Sequence, residues 1–427
     1  MDVYEKPALY GGVPSTHPNS CLSFEWPCYT QQDEEYVIST LRSKEYSYNQ
    51  NAHMINQLEE NFKQYIGAEY CLALNSGTSA LFVAFWALGL QPGDEVLVPT
   101  YTFPATVMPL LQLGVKIVFV DCERTSSQIS IEDLERKITA NTKAVVVSHM
   151  DGIANDVKRI CQISERYQAC IVEDCAQALG SKLYGKHVGT WGTFGVFSFQ
   201  QKKIVAAGEG GMLVTNNRNL YEKCILFSYL QKRSYEEVLN PELSIYSNTG
   251  LGHNFRMHPL IASMVVTQLS HIEQNITKRK RTFQKLVDRL EKYDCLWFPQ
   301  ADKPNDTCSY YTFRVVYYKE KLRGLPLELF IKAINAEGIP VYRSTTLPLH
   351  LEPIFNDENA SNFFGIYRFQ ARNMFVKNGL NNSIAYSQSV FRIAPYSRLS
   401  DEMIDIIGKA FDKVINYFSY CEQIWWK

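Results

Sequence analysis

The sequence predicts an α/β fold in which a large unit with a mixed, mostly parallel sheet precedes a smaller α+β unit. Two observations support this. Short apolar runs rich in β-branched residues alternate with longer stretches of helical spacing, which is typical of buried parallel strands connected by helices. Beyond residue 259 the alternation stops, and a long helical stretch leads to a different mixture of strand and helix.

The strands of the large unit are predicted from the apolar runs, and its helices from the stretches between them. The predicted strands are 71–74, 95–98, 115–120, 144–147 and 170–172, and 194–197 is a further apolar run. The predicted helices are 80–90, 131–138 and 157–167. Ligands of such sheets bind beyond the carboxyl ends of the strands. We therefore expect functional residues in the loops that follow strands.

Three parts are predicted along the chain. Residues 1–30, rich in Pro, Gly and Ser, form an arm, 31–275 a large ligand-binding domain, and 276–427 a bridging helix with a small C-terminal domain. The last part is predicted from helical spacing over 259–293, a strand at 313–318 and helices at 327–337 and 403–418. The basic run 278–281 is interpreted as a solvated helix face, because no DNA-binding motif surrounds it.

Composition and charge argue against several functions. The chain of 427 residues is 46% hydrophobic and has a formal net charge of −1, so no global field attracts nucleic acid or an anionic membrane. No apolar run approaches the length of a membrane span. The eleven cysteines lack metal-ligand spacing, and the N-terminus lacks a signal-peptide pattern. These features predict a cytoplasmic protein with reduced thiols, no metal, and no nucleic-acid or membrane partner.

Lys203 is the leading candidate functional residue. It follows Ser198 at the end of an apolar run, and three glycines within 208–211 predict a tight bend behind it. An amine between a hydroxyl that can reach a phosphate and a glycine-rich bend suits a Schiff-base nucleophile for an aldehyde cofactor, of which pyridoxal phosphate is the obvious candidate. The alternative is a solvated surface charge, which the adjacent Lys202 favours.

Two loops that follow strands are candidates for binding the same cofactor. Residues 75–79 form a small polar turn before a helix, where free backbone N–H groups and the helix dipole suit a phosphate. Ordinary N-capping is the alternative there. Phe103 follows the strand at 95–98, and its ring could stack on a planar heterocycle, with core packing as the alternative.

Glu173 and Asp174 end another predicted strand. A carboxylate facing a pyridine nitrogen keeps that nitrogen protonated, which lets the ring accept electrons from a substrate carbanion. Only one of the two acids can face the site, because neighbouring strand residues point to opposite faces. Capping of the next helix is the alternative role.

These motifs together resemble the DegT/DnrJ/StrS family of pyridoxal-phosphate-dependent sugar aminotransferases, which have the fold type I (aspartate aminotransferase-like) architecture. The matching segments occur in the family's order and are 75–81, 99–106, 173–178, 198–211 and 252–257, with a weaker match at 348–350. The resemblance implies an aminotransferase with pyridoxal 5'-phosphate as its cofactor.

The resemblance assigns roles residue by residue. Lys203, five residues after the serine of the Ser-Phe pair, would carry the Schiff base, and Asp174 would pair with the pyridine nitrogen. The other implied cofactor-binding residues are Gln177 near the ring hydroxyl, Phe103 stacked on the ring, Gly77, Thr78 and Ser198 on the phosphate, and Asn254 on the phosphate of a neighbouring subunit. The family's shared sites imply a homodimer. Arg256 lies in the same loop as Asn254, with its role open.

The resemblance also implies the substrates, which are glutamine or glutamate as amino donor and a keto-sugar or keto-cyclitol as acceptor. Gln200 and Gln201, with the segment 9–14, resemble the branch that aminates keto-cyclitols from glutamine. The other branch aminates nucleotide-linked keto-sugars, generally from glutamate. Both branches imply a role in antibiotic, other secondary-metabolite or surface-sugar biosynthesis. Both also imply ping-pong kinetics.

Departures from the family pattern lie where acceptor contacts are expected. Asp151 and Ala154 replace an aromatic residue and a proline, and His253 replaces a tyrosine. Arg343 and His350 are candidate substrate residues, and a charged or carboxylated acceptor would suit Arg343. Three alternatives to this aminotransferase remain. They are another reaction with the same cofactor, a regulatory relative, and a deoxysugar dehydratase, against which Lys203 argues because such relatives have histidine there.

Overall fold

The computed structural model describes residues 5–16, 26–48, 53–300, 307–356, 375–396 and 399–420. Its helices are α1 (Gln31–Ser43), α2 (His53–Ile66), α3 (Gly77–Ala87), α4 (Met108–Leu113), α5 (Ile131–Lys137), α6 (Val157–Glu165), α7 (Arg218–Ser228), α8 (Lys232–Glu237), α9 (Pro241–Ser244), α10 (Pro259–Ser270), α11 (Ile272–Leu290), α12 (Leu327–Ala336), α13 (Asn381–Ser389) and α14 (Asp401–Tyr420).

The strands are β1 (Tyr70–Leu74), β2 (Glu95–Pro99), β3 (Lys116–Val120), β4 (Thr142–Ser148), β5 (Cys170–Asp174), β6 (Lys182–Leu183), β7 (Lys186–His187), β8 (Phe194–Ser198), β9 (Gly211–Thr215), β10 (Leu296–Trp297), β11 (Phe313–Tyr317), β12 (Val341–Arg343), β13 (Phe375–Val376) and β14 (Val390–Ile393). All of the strands predicted from apolar runs are present, with ends that differ by a few residues.

The large sheet confirms the predicted mostly parallel topology. Its strand order is β1-β9-β8-β5-β4-β2-β3-β13, and only the pairings of β9 with β1 and β8 are antiparallel. The strands are buried on both faces, which is why their sequences are continuous apolar runs instead of alternating ones. Their carboxyl ends lie at one edge, and this edge carries the loops after β1, β2, β4, β5 and β8.

The second sheet lies in the C-terminal part of the chain and has the antiparallel order β10-β11-β14-β12. Helices α12 and α14 pack on one another and on this unit, with Phe330, Phe391 and Phe411 in contact. β13 extends the large sheet, although it comes from the C-terminal part of the chain. The division at 275 therefore stays a prediction, because chain order and sheet membership differ there.

Two expectations about the helical stretch at 259–293 need correction. His271 separates α10 from α11, so the stretch is two helices. The run 278–281 is not wholly solvated, because Arg279 is 1% exposed and its guanidinium lies 4.3 Å from the ring centroid of Trp26. The aromatic ring comes from the predicted arm, which is distant in sequence, and it covers a charge that the local pattern places on the surface.

The rest of the described arm also packs on later parts of the chain. The backbone N–H groups of Ala8 and Ser15 donate to the buried carboxylate of Glu337, at 2.7 and 2.9 Å. Within the described residues no helix combines the length and apolarity needed to cross a bilayer, and no two cysteines form a disulfide.

Candidate active site

A cavity of about 480 Å³ opens at the carboxyl ends of the parallel strands. One wall, the large-sheet wall, consists of the loops after β1, β2, β5 and β8. The opposite wall, the small-sheet wall, consists of β11 with residues 311 and 312 just before it, residues 344–346 and β14, and the loop after β4 joins the two. The sequence-predicted residues that line it are Gly77, Thr78, Phe103, Asp174, Gln177, Ser198 and Lys203.

The start of α3 lies directly against the end of β8. Ser76 caps the helix by accepting a hydrogen bond from the Ser79 N–H at 3.0 Å, so the predicted N-capping is present. A Cβ at Gly77 would lie 3.0 Å from the Ser198 Cβ and 3.4 Å from the Phe197 carbonyl oxygen. Only glycine fits without displacing β8, and the close approach brings the helix start and the Ser198 hydroxyl together. This arrangement fits a phosphate group.

Lys203 follows a tightly hydrogen-bonded loop. The backbone N–H of Lys203 donates to the Gln200 carbonyl at 2.8 Å, and Gly208 and Gly210 have φ values of +83° and +141°, as the predicted bend requires. Lys202 is exposed, whereas the Lys203 ammonium is partly buried, 5.1 Å from the ring centroid of Tyr311.

The surroundings of Lys203 favour its neutral amine more than water does. Burial lowers the pKa of Lys203, and the Lys202 charge lowers it further, while the carboxylates of Asp174 and Glu209 raise it. The net pKa lies below the ordinary value. A larger fraction of the amine is therefore unprotonated and nucleophilic at neutral pH than for a surface lysine.

The two acids at the end of β5 face opposite sides, as strand geometry requires. Asp174 lines the cavity and is 6% exposed. Its carboxylate accepts a hydrogen bond from the Thr106 hydroxyl at 2.6 Å and another from the Ala176 N–H at 3.0 Å. These donors hold the carboxylate in one orientation toward the cavity. An ionised carboxylate facing a pyridine nitrogen would keep that nitrogen protonated.

Glu173 faces away from the cavity and organises the fold. Its two oxygens accept hydrogen bonds at 2.8 Å from the backbone N–H groups of Gly189, Trp191 and Gly192, and one oxygen lies 3.1 Å from His149 Nε2. Glu173, His149 and Cys175 have ligand atoms within 4.8 Å of one another, as a metal site would. The carboxylate is already saturated with hydrogen-bond donors, so we assign this cluster a structural role.

Gln177 and Phe103 complete the large-sheet wall. The Gln177 Oε1 accepts a hydrogen bond from the Asp151 N–H at 2.8 Å. Phe103 is 61% exposed and lines the cavity, so the alternative of core packing is wrong for this ring. An aromatic ring left open to a cavity can stack on a planar ligand.

Three sequence-predicted residues do not line the cavity within this chain. Asn254 is exposed, and its Oδ1 accepts a hydrogen bond from Arg256 Nε at 2.9 Å. Arg343 is exposed and pairs with Glu328. His350 is buried, its Nδ1 lies 2.6 Å from the Thr100 hydroxyl, and burial lowers its pKa. A substrate role for Arg343 or His350 stays a prediction that this geometry does not support.

Sequence reasoning missed a buried ion pair on the small-sheet wall. Arg314 donates from Nε to Asp151 Oδ2 at 3.1 Å and from Nη2 to Asp151 Oδ1. Burial lowers the pKa of Arg314, but Asp151 and the hydroxyls of Tyr101 and Tyr386 outweigh it, so the pKa lies above the ordinary value. The available signals were the arginine inside an apolar strand and the departure at Asp151. The other two departures are packing residues, since Ala154 is buried and the rings of His253 and Phe255 stack at 5.2 Å.

The residues of this cavity fit pyridoxal phosphate. Lys203 offers a partly buried amine, Asp174 an oriented carboxylate and Phe103 an aromatic ring exposed to the cavity. Gly77 begins a helix whose first turn approaches Ser198 closely, where a Cβ would crowd the Ser198 side chain. These are the groups that an aldehyde, a pyridine nitrogen, a planar ring and a phosphate require.

Comparison with known proteins agrees with this geometry. Residues 27–366 match the model of the DegT/DnrJ/EryC1/StrS aminotransferase family. GDP-perosamine synthase of Escherichia coli O157:H7 is 35% identical over 60% of this chain and 67% of its own length. GDP-perosamine synthase of Vibrio cholerae is 35% identical over 69% of this chain and 78% of its own. An aminotransferase from Psychrobacter cryohalolentis, solved by X-ray crystallography, superposes with a TM-score of 0.82 at 26% identity, covering 92% of this chain and 99% of its own.

Proposed function

We propose a specific amino transfer for this chain, which belongs to the DegT/DnrJ/EryC1/StrS aminotransferase family and is a pyridoxal-phosphate-dependent aminotransferase of fold type I. The donor is glutamine or glutamate, and the acceptor is a keto-sugar or keto-cyclitol. The observation that carries the proposal is that one cavity contains the partly buried Lys203 amine, the Asp174 carboxylate and the start of helix α3 at Gly77. The enzyme is cytoplasmic and serves secondary-metabolite, antibiotic or surface-sugar biosynthesis.

Different residues of the large-sheet wall would bind different parts of the cofactor. The N–H groups at Gly77 and Thr78 and the hydroxyl of Ser198 bind its phosphate, and Phe103 stacks on its ring. Asp174, oriented by Thr106, holds a proton on the ring nitrogen, and Gln177 approaches the ring hydroxyl. When bound, pyridoxal phosphate supplies a carbonyl for the incoming amine and an electron sink for the carbanion.

Lys203 acts as both nucleophile and proton carrier. Its lowered pKa leaves more of the amine unprotonated, so Nζ would be the group that holds the cofactor's aldehyde and the base that takes the proton from the donor's α-carbon. General acid–base catalysis of this kind contributes roughly 10²–10⁴-fold in rate. The Tyr311 ring beside Nζ stabilises the ammonium form that results, because a cation is attracted to an aromatic face.

The acceptor is a sugar-like ketone. The GDP-perosamine synthases support a nucleotide-linked keto-sugar, whereas Gln200 and Gln201 favour a keto-cyclitol aminated from glutamine. Asp151, a departure from the family pattern, lies in the loop that joins the two walls and lines the cavity in which the acceptor would bind.

The functional unit is a homodimer. Exposed apolar side chains cluster along 235–251 before the loop of Asn254, and they are Tyr235, Leu239, Ile245, Tyr246 and Leu251, each 50–72% exposed. The Asn75 N–H donates to the Phe255 carbonyl at 2.7 Å, which ties this loop to the phosphate turn. A second subunit covering these side chains would receive Asn254 at its own cofactor phosphate.

The test compares two neighbouring lysines. The purified holoenzyme is expected to be yellow, and glutamine or glutamate should shift its visible absorption until a keto acceptor restores it. Lys203→Ala should abolish the visible band and the amino transfer, while Lys202→Ala retains the band. Loss of the band in Lys202→Ala alone would contradict the assignment of the lysine. A band that ignores both donors would contradict the proposed donors and point to another reaction of the same cofactor.

A further inference from the structure

The arm of the chain contacts the loop that carries Lys203. The indole Nε1–H of Trp26 donates a hydrogen bond to the Lys203 backbone carbonyl at 3.0 Å, across a sequence separation of 177 residues. The Tyr29 hydroxyl donates to the Ala206 carbonyl at 3.5 Å. Because the Lys203 N–H already donates to the Gln200 carbonyl, both backbone polar groups of Lys203 are held. The Trp26 contact therefore helps to fix the backbone from which the Lys203 amine reaches the cavity.

The same indole covers a buried cation. The Arg279 guanidinium lies 4.3 Å from the Trp26 ring centroid. Its Nη1 donates to the Tyr310 carbonyl at 3.3 Å, whereas its Nε has no hydrogen-bond partner among the described residues. Burial lowers the pKa of Arg279 to about 10, so the charged form depends on the contacts that remain. The face of the Trp26 ring is one of them, because a desolvated cation is attracted to an aromatic face.

Arg279 in turn holds the segment that faces the Lys203 side chain. Tyr310 has a φ of +52°, a left-handed backbone conformation that a bulky residue keeps only where its surroundings hold it. The next residue, Tyr311, places its ring centroid 5.1 Å from the Lys203 ammonium. The contacts form a closed set, which runs from Trp26 through Arg279, Tyr310, Tyr311 and Lys203 back to Trp26.

The arm is itself fixed beside this loop. Asp33, in the first turn of α1, accepts hydrogen bonds from the Thr30 N–H at 2.6 Å and from the Thr267 hydroxyl of α10. Gln268, the next residue of α10, accepts a hydrogen bond from the Ala206 N–H at 3.1 Å. Adjacent residues of one helix therefore hold both the end of the arm and the loop that the arm contacts.

We propose that Trp26 is a positioning residue for Lys203, which holds the amine where it meets the aldehyde of the cofactor. The proposal rests on the proposed function of Lys203. The indole acts on the Lys203 carbonyl directly and on Nζ through Arg279 and Tyr311, although Trp26 does not line the cavity. A reacting group displaced by about 1 Å can lose roughly a hundredfold in rate, so a residue outside the cavity can control the chemistry within it.

Equilibrium binding of two forms of the cofactor to the full-length apoenzyme tests this role. Pyridoxal phosphate has the aldehyde that bonds to Lys203, whereas pyridoxamine phosphate lacks it and depends on the other groups of the large-sheet wall. Trp26→Phe removes the N–H donor and keeps an aromatic ring over Arg279. By calorimetry, this variant should bind pyridoxal phosphate roughly threefold to tenfold more weakly, the loss of one hydrogen bond, and pyridoxamine phosphate with unchanged affinity.

Further variants separate the two contacts of the indole. Trp26→Leu removes the donor and the ring, so it should weaken pyridoxal phosphate binding by a further factor of roughly ten. Arg279→Gln should weaken binding less in the Trp26→Leu background than in the wild type, because the two residues act through one contact. Trp191→Phe is the matched control, since Trp191 is also half-buried beneath a cation, Lys186 at 4.6 Å, but does not line the cavity.

Equal loss of affinity for both cofactor forms in Trp26→Phe would overturn the proposal, because the indole would then support the whole site and not the lysine. Unchanged affinity for pyridoxal phosphate would overturn it as well, and so would a further loss when Trp26→Phe is added to Lys203→Ala. Trp26→Phe should fold even where Trp26→Leu does not, because it keeps a ring over Arg279.

The binding measurement uses neither amino donor nor acceptor, so failure of the amino transfer leaves it valid. A visible band that persists in Lys203→Ala would contradict the assignment of the lysine, whereas the outcomes above contradict the role of Trp26. The two proposals therefore fail separately.

Discussion

The large-sheet and small-sheet walls of the cavity differ in how their functional groups are assembled. On the large-sheet wall, groups come from short continuous loops, such as 75–79 and 173–177, each at the end of one strand. On the small-sheet wall, Arg314 and Arg392 come from separate strands and lie opposite each other through strand pairing, and Asp151 of the first unit supplies the carboxylate that pairs with Arg314. The first wall is a set of local motifs, and the second exists only in the folded chain.

Under the proposed function, this difference would separate cofactor binding from substrate choice. A cofactor common to a family can be held by local turns that tolerate change elsewhere, because each turn places its own N–H groups and side chain. On the small-sheet wall, Arg392 is exposed, so a single substitution there changes the charge of the wall without altering those turns. Of the departures of this chain from the family pattern, Asp151 lies in the loop that joins the two walls, whereas Ala154 and His253 do not line the cavity.

The largest effect is expected from Asp151→Asn. It leaves the buried Arg314 guanidinium without a counter-charge, which should lower the free energy of unfolding by about 3–5 kcal/mol. Urea denaturation of the holoenzyme measures this, with Asp288→Asn on the surface of α11 as the control. A loss no larger than the control's would mean that the small-sheet wall does not depend on this ion pair.

A smaller effect, on catalysis instead of stability, is expected from Asp174→Asn. The variant removes the charge that we propose faces the ring nitrogen, and kcat should fall roughly tenfold to a hundredfold with every donor and acceptor, the loss of one charged hydrogen bond in the transition state. Steady-state kinetics provides the measurement. An effect confined to one substrate would contradict the assignment of cofactor binding to the large-sheet wall and of substrate choice to the small-sheet wall, because the large-sheet wall would then select substrates.

The smallest effect is a pH dependence in the apoenzyme. Because burial lowers the pKa of Lys203 below its ordinary 10.5, the unfolded chain binds this proton more tightly than the folded chain. Between the lowered pKa and 10.5, stability therefore rises with pH. Lys203→Met should be more stable than the wild type near neutral pH, and this advantage should shrink as the pH approaches 10.5.

Denaturation curves at several pH values measure this difference, with Lys202→Met as the matched control because Lys202 is exposed. A stability advantage of Lys203→Met that grows with pH would contradict the sign of the pKa shift. The outcome would also show how the small-sheet wall affects the charge of Lys203, since Tyr311 on that wall contacts the Lys203 ammonium.

The sequence alone was most informative where structure is local. The α/β alternation, the bend after Lys203 and the helix behind the turn at 75–79 follow from runs of a few residues, and the structure contains all three, although the helix begins at Gly77 and not at the predicted residue 80. Strand alternation required that only one acid of the pair at 173 and 174 face the cavity. Which one does so depends on the face that the sheet turns toward α3, and the family resemblance rather than the strand pattern pointed to Asp174.

The sequence was least informative where charges are buried by distant segments. Arg279 was assigned to a solvated face, yet Trp26 from the arm covers it. Arg343 was the candidate for a charged acceptor, yet it pairs with Glu328, while Arg314 and Arg392 line the cavity. One helical stretch was also predicted over 259–293, where His271 divides two helices, because no proline or glycine marks the break.

The amino-acid sequence by itself determined the fold class, the family and the motifs of the large-sheet wall, because backbone turns bring near neighbours together whatever surrounds them. Only the tertiary structure decided the charge of the small-sheet wall. That charge depends on the cross-strand register of β11 with β14 and on the packing of the loop at Asp151. Both are set by long-range contacts that no single segment encodes.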